Sequence, residues 1–132
     1  MPRRTPFIAI VDDEESVRKS LCRLFTAVGW ESVAYRSGQE FLTSLNERLP
    51  DCILLDLQMP GLTGFDVQAQ LIRNGSSIPL IVLTGYDEAG NLGQRLTEGT
   101  IILRKPVHDD TLLCAVRQAL LGDWSDFENK AE

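Results

Sequence analysis

The sequence predicts an α/β protein, a doubly wound parallel sheet with helices on both faces. Short apolar runs alternate with amphipathic stretches five times along the 132 residues. Apart from the second run, they lack the polar alternation of a strand with one wet face, and so belong in a sheet buried on both sides. Gly29 and the pair Asn74-Gly75 close helical stretches where the chain must reverse.

The elements follow in order. F-I-A-I-V at 7–11 is a buried-strand pattern. Residues 14–28 carry Val17, Leu21, Leu24, Phe25 and Val28 at helical spacing, and Gly29 ends that helix. E-S-V-A-Y at 31–35 alternates as a second strand, and 37–49 reads as a helix with Phe41, Leu42 and Leu45 inward. C-I-L-L at 52–55 is a third strand, and 64–73 a third helix. P-L-I-V-L-T at 79–84 and T-I-I-L-R at 100–104 are the last two strands. Residues 109–121 form a final helix, with Asp109 and Asp110 suited to its positive N-terminal end. Between strands four and five, residues 87–99 hold three glycines and only Leu92 and Leu96 as apolar anchors. Each interior glycine costs about 1 kcal/mol relative to alanine, so this helix is expected to be short, late-starting or mobile.

Composition narrows the function. The chain is long enough for one domain with a real core, assigned to residues 1–121, followed by a tail at 122–132. Its net charge of −6 does not suit a nucleic-acid surface, which needs a basic stripe. No apolar run approaches a membrane span, and the N-terminus lacks the form of a secretion signal, so a cytoplasmic protein is expected. Cys22, Cys52 and Cys114 are far apart and His108 has no thiol beside it, which predicts buried or half-buried reduced thiols and no zinc site. In the tail, Trp124 and Phe127 stand at helical spacing in a polar run and are expected to pack against the domain or a neighbour.

In a doubly wound sheet, ligands sit at the C-terminal ends of the strands. Asp12-Asp13, Asp56, Thr84-Gly85 and Lys105-Pro106 all fall there. Taken singly, each has a plain reading: a helix cap, a polar loop start, a turn residue, a solvated charge. Together they place three carboxylates, a hydroxyl and an ammonium around one crevice. Carboxylates so close repel unless a cation intervenes, and Mg2+ accepts such oxygens together with a phosphoryl group. Lysine and threonine would bind the remaining phosphoryl oxygens. Asp56 then reads as a nucleophile that forms an acyl phosphate.

The stretches V-D-D-E-E-S-V-R, L-L-D-L-Q-M-P-G-L-T-G-F-D, I-V-L-T-G and K-P-V resemble the receiver domain of two-component response regulators, above all receivers that precede helix-turn-helix output domains. The resemblance covers residues 7–121. It implies a (βα)5 flavodoxin-like fold with strand order 2-1-3-4-5 and makes Asp56 the phosphoacceptor, loaded by a sensor histidine kinase or phosphotransfer protein. It implies that Asp13, Asp56 and the backbone carbonyl of Gln58 ligate Mg2+ directly and that Asp12 acts through metal-bound water. Thr84 and Lys105 would hold the phosphoryl group, with a cis bond between Lys105 and Pro106. A second copy of the domain, as a homodimer, is among the partners expected on phosphorylation.

Two features depart from the family pattern. Ile102 stands where receivers usually carry Tyr or Phe, and the segment from Gly99 to Lys105 is one residue shorter than usual. A β-branched side chain cannot swing a ring between exposed and buried positions, so the usual aromatic switch does not operate in its standard form. Residues 86–99 are the expected substitute. Tyr86 and Gln58, each two positions beyond a site residue, should border the phosphoryl group, where Tyr86 would either shield it or face solvent. One alternative is a phosphatase of the haloacid-dehalogenase type, which needs a second aspartate where Gln58 stands. The other is a receiver-like interaction module that takes no phosphate.

Overall fold

The computed structural model describes residues 5–57, 64–75, 77–85 and 100–123. The elements are strand β1 (Phe7–Val11), helix α1 (Glu15–Ala27), strand β2 (Glu31–Tyr35), helix α2 (Gly38–Ser44), strand β3 (Cys52–Asp56), helix α3 (Gly64–Arg73), strand β4 (Leu80–Thr84), strand β5 (Ile101–Arg104) and helix α4 (Asp109–Asp123). The strands form one parallel sheet in the order β2-β1-β3-β4-β5. The expected fold class and strand order are therefore those observed. The glycine-rich segment 87–99 and the tail with Trp124 and Phe127 lie outside the described residues.

The apolar runs are continuous because β1, β3 and β4 are buried along their whole length. Alternate residues feed two separate cores. On one face, Ile8, Ile10, Leu54, Ile81 and Leu83 pack with Phe25 of α1 and with Leu112, Val116 and Leu120 of α4. On the other, Ala9, Val11, Ile53, Leu55 and Val82 pack with Phe41 of α2 and Val67 and Leu71 of α3. The edge strands β2 and β5 are only partly buried, and in β2 this shows as alternation in the sequence.

Helix ends follow local chemistry. Gly29, at φ +87°, reverses the chain after α1, with Trp30 N donating to Phe25 O and Gly29 N to Thr26 O. Gly75, at φ +74°, does the same after α3. The Ser37 hydroxyl accepts from Glu40 N and caps α2. That helix stops at Ser44 and does not reach residue 49 as its periodicity suggests. The Thr43 and Ser44 hydroxyls donate back to the carbonyls of Gln39 and Phe41, and the backbone tightens to i→i−3 bonds from Leu45 to Glu47. Pro50 then disfavours helical geometry at Leu49. Leu42 and Leu45 still pack inward.

The cysteines depart partly from expectation. Cys52 is buried and Cys22 half-buried, but Cys114 is exposed on α4, because the apolar stripe of that helix runs through Leu112, Ala115, Val116, Ala119 and Leu120. At the N-terminal edge of the sheet, buried Asp51 accepts from Phe7 N at 2.8 Å and donates its own N–H to Phe7 O, which fixes the start of β1. None of the helices among the described residues is long and apolar enough to cross a membrane.

Candidate functional site

The C-terminal ends of β1, β3, β4 and β5 meet in one place because the sheet is parallel and its registers are aligned. Val11 pairs with Leu55, Asp56 with Leu83, and Thr84 with Arg104. The ladder continues one residue past the strands: Asp12 N donates to Tyr35 O, Leu57 N to Leu83 O, and Lys105 N to Thr84 O at 2.8 Å. The backbone itself therefore brings Asp12, Asp56, Thr84 and Lys105 side by side.

Asp12, Asp13 and Asp56 each present one carboxylate oxygen, and these atoms all lie within 4.8 Å of one another. Asp12 and Asp56 are buried and Asp13 is exposed. Lys105 Nζ stands 3.4 Å from Asp56 Oδ1 and 4.0 Å from Asp12 Oδ2. One ammonium thus faces a group of carboxylates in a partly dry site.

The two oxygens of Asp12 differ. Oδ1 accepts from Glu14 N at 2.9 Å in a local turn before α1; it does not cap the helix, whose N-cap Glu14 has no side-chain cap bond. Oδ2 is buried without a hydrogen-bond partner. Burial pushes the Asp12 carboxyl above its ordinary value; the Glu14 N–H pulls it back, the neighbouring Asp56 charge raises it, Lys105 lowers it, and Asp13 raises it again. A buried carboxylate oxygen with no hydrogen-bond donor, beside two other carboxylates, is a position that a hard cation or its bound water would satisfy. The donor set fits Mg2+ on these grounds.

Thr84 is fully buried, and its hydroxyl donates to Gly85 O at 3.2 Å. The Lys105–Pro106 bond is cis, as the resemblance implied. Ile102, in register with Val82, is 38% exposed on the face of the sheet that carries α2 and α3. Gln58 and Tyr86 lie outside the described residues. Two contacts were not read from the sequence. Arg18, in the first turns of α1, donates through Nη1 to the carbonyl of Asp12 at 2.8 Å. Gln68, buried on α3, donates to the Thr100 hydroxyl at 3.3 Å, just before β5. Both residues read in sequence as ordinary polar positions on amphipathic helices; for Arg18, the only cue was its place on the helix that directly follows the acidic pair.

Comparison with known proteins agrees with this geometry. The model of the response regulator receiver domain matches residues 8–117. Nodulation protein W of Bradyrhizobium diazoefficiens is 38% identical over 117 residues, which are 88% of this chain and 52% of that protein. The response regulator protein TodT of Pseudomonas putida is 32% identical over 121 residues, 91% of this chain and 53% of that protein. The chain thus spans about half the length of these curated relatives. Among solved structures, a response regulator receiver protein from Burkholderia phymatum superimposes with a TM-score of 0.77 at 39% identity, covering 88% of this chain and 95% of that one. With the family model matched over most of its length and the acidic crevice in place, the chain belongs to the receiver domains of two-component response regulators.

Proposed function

We propose that Asp56 accepts a phosphoryl group from a phosphohistidine on a sensor histidine kinase or phosphotransfer protein, and that the change alters how the domain engages an output domain or partner. The observation that carries this reading is the convergence of Asp12, Asp13, Asp56 and Lys105 at the strand ends, with one buried carboxylate oxygen left without a donor.

A carboxylate oxygen of Asp56 attacks phosphorus in line with the P–N bond of the donor. The new O–P bond forms as the P–N bond breaks, and the imidazole nitrogen leaves with the electron pair and takes a proton from solvent. Bound Mg2+ would supply charge neutralisation at the phosphoryl oxygens, held by Asp13, Asp56 and the Gln58 carbonyl, with Asp12 acting through water. Lys105, already 3.4 Å from Asp56, pairs with a phosphoryl oxygen as the charge moves outward. The Thr84 hydroxyl turns from Gly85 O to another phosphoryl oxygen, the local event that can distinguish the two states. Water later cleaves the O–P bond and returns the carboxylate, so the domain is a phosphoacceptor with self-catalysed loss and no separate substrate turnover.

The unit responsible is assigned to residues 1–121, with 122–132 as a tail, acting in the cytoplasm and in the manner of receivers that precede helix-turn-helix output domains. No direct contact with nucleic acid or membrane is assigned to this segment. Ile102 offers no aromatic ring to move, so the shift at Thr84 is passed on through residues 86–99, and a second copy of the domain is one candidate for what reads it. Incubation with acetyl phosphate and Mg2+, followed by intact mass, tests the reading. Wild type should gain one phosphoryl group, while Asp56→Asn and wild type in chelator should not. Equal labelling of Asp56→Asn would remove Asp56 from its role.

A further inference from the structure

We infer that Arg18 is a positioning residue for the metal-binding acids: it clamps the peptide between Asp12 and Asp13 so that both carboxylates face the crevice before any cation arrives. This rests on the reading of the acidic cluster as a Mg2+ site.

Arg18 lies near the N-terminus of α1, where the helix dipole disfavours a cation. Helical side chains lean toward the N-terminus, so a long one here reaches back over the turn that precedes the helix. Arg18 is half-buried, and its Nη1 meets the Asp12 carbonyl at 2.8 Å. This contact completes the fixation of Asp12. Its N–H is held by Tyr35 O, its Oδ1 by Glu14 N, and its carbonyl by Arg18; the remaining oxygen, Oδ2, is the buried one with no donor.

The carbonyl matters most for Asp13. The peptide unit is planar, so fixing the direction of the Asp12 C=O also fixes the N–H and Cα of residue 13. Asp13 is exposed, with little packing of its own to define its path. Without the clamp, rotation of this one peptide would swing the Asp13 carboxylate out of its 4.8 Å grouping with Asp12 and Asp56. With it, the ordering is already in place before the metal binds.

Charge and position make opposite predictions here, which permits a decisive test. Arg18 adds positive charge beside a cation site; if only its charge acted, its removal would tighten Mg2+ binding. If it positions the acids, its removal weakens binding. Backbone-amide chemical shifts, followed through a Mg2+ titration of wild type and Arg18→Met, give the affinity without any phosphoryl transfer. Thermal melts in chelator report the stability of the metal-free fold. The expected result is a threefold to tenfold weaker Mg2+ affinity for Arg18→Met, with a metal-free melting temperature close to wild type. Affinity equal to or tighter than wild type would overturn the clamp, as would a loss of stability with affinity unchanged. If Arg18→Met does not fold, Arg18→Gln decides: it removes the charge and is too short to reach the Asp12 carbonyl, so weaker binding supports positioning and equal or tighter binding overturns it. A wild type with no saturable Mg2+ response would instead remove the metal site, and the clamp with it.

Discussion

Asp12 performs two tasks that pull its protonation in opposite directions. It closes the turn into α1 through Oδ1, and it holds Oδ2 in a buried position beside Asp56. Burial dominates, and the carboxyl lies above its ordinary value. The linkage has a definite sign. Between the unfolded value near 3.9 and the raised folded value, the native state binds more protons than the unfolded chain, so this group costs stability as pH rises through that window and continues to cost it above. Asp12→Asn in chelator should therefore melt close to wild type near pH 4 and above it at pH 7. Saturating Mg2+ should raise wild type and leave the variant largely behind, because only wild type has the full set of acids. A variant less stable than wild type at pH 7 in chelator would contradict this account. The placement of Asp12, Asp13, Asp56, Thr84 and Lys105 at the strand ends could be read from sequence because each follows or ends an apolar run in a parallel sheet. Arg18 could not, because a cation on an amphipathic helix has the same spacing whether it touches water or a backbone carbonyl.

At the scale of elements, the strands were the most legible because β1, β3 and β4 are buried on both sides and leave an unbroken apolar signature. Helix α2 was less so. Its apolar spacing continues to Leu45, but the hydroxyls of Thr43 and Ser44 compete for carbonyls and Pro50 follows, so regular helix ends earlier than periodicity alone indicates. Helix α1 is anchored by one large aromatic. Phe25 is fully buried, packs in the core with β1, β3 and β4, and lies 5.6 Å from the Trp30 ring, centroid to centroid. Phe25→Ala should cost about 3–5 kcal/mol, read from the urea midpoint. A loss below about 1 kcal/mol would mean that the core collapses around the gap or that α1 is not anchored as described. Since α1 also carries Arg18 and begins beside the acids, this variant should weaken Mg2+ binding even where it remains folded.

At the scale of the molecule, the sheet order β2-β1-β3-β4-β5 brings into one crevice residues that lie up to 93 positions apart, from Asp12 to Lys105. Periodicity alone gives the strands but not their order; the order came from the resemblance carried by the four motifs, and the structure agrees with it. The central claim is that this crevice serves one reaction, phosphoryl transfer to Asp56. The most direct test is to load the protein with acetyl phosphate and Mg2+, trap the acyl phosphate by borohydride reduction, and locate the altered residue by peptide mass. The account predicts conversion of the residue at position 56 to homoserine, absent in chelator and absent in Asp56→Asn. Conversion at Asp12 or Asp13 instead, or none anywhere with Mg2+ shown to be bound, would contradict it.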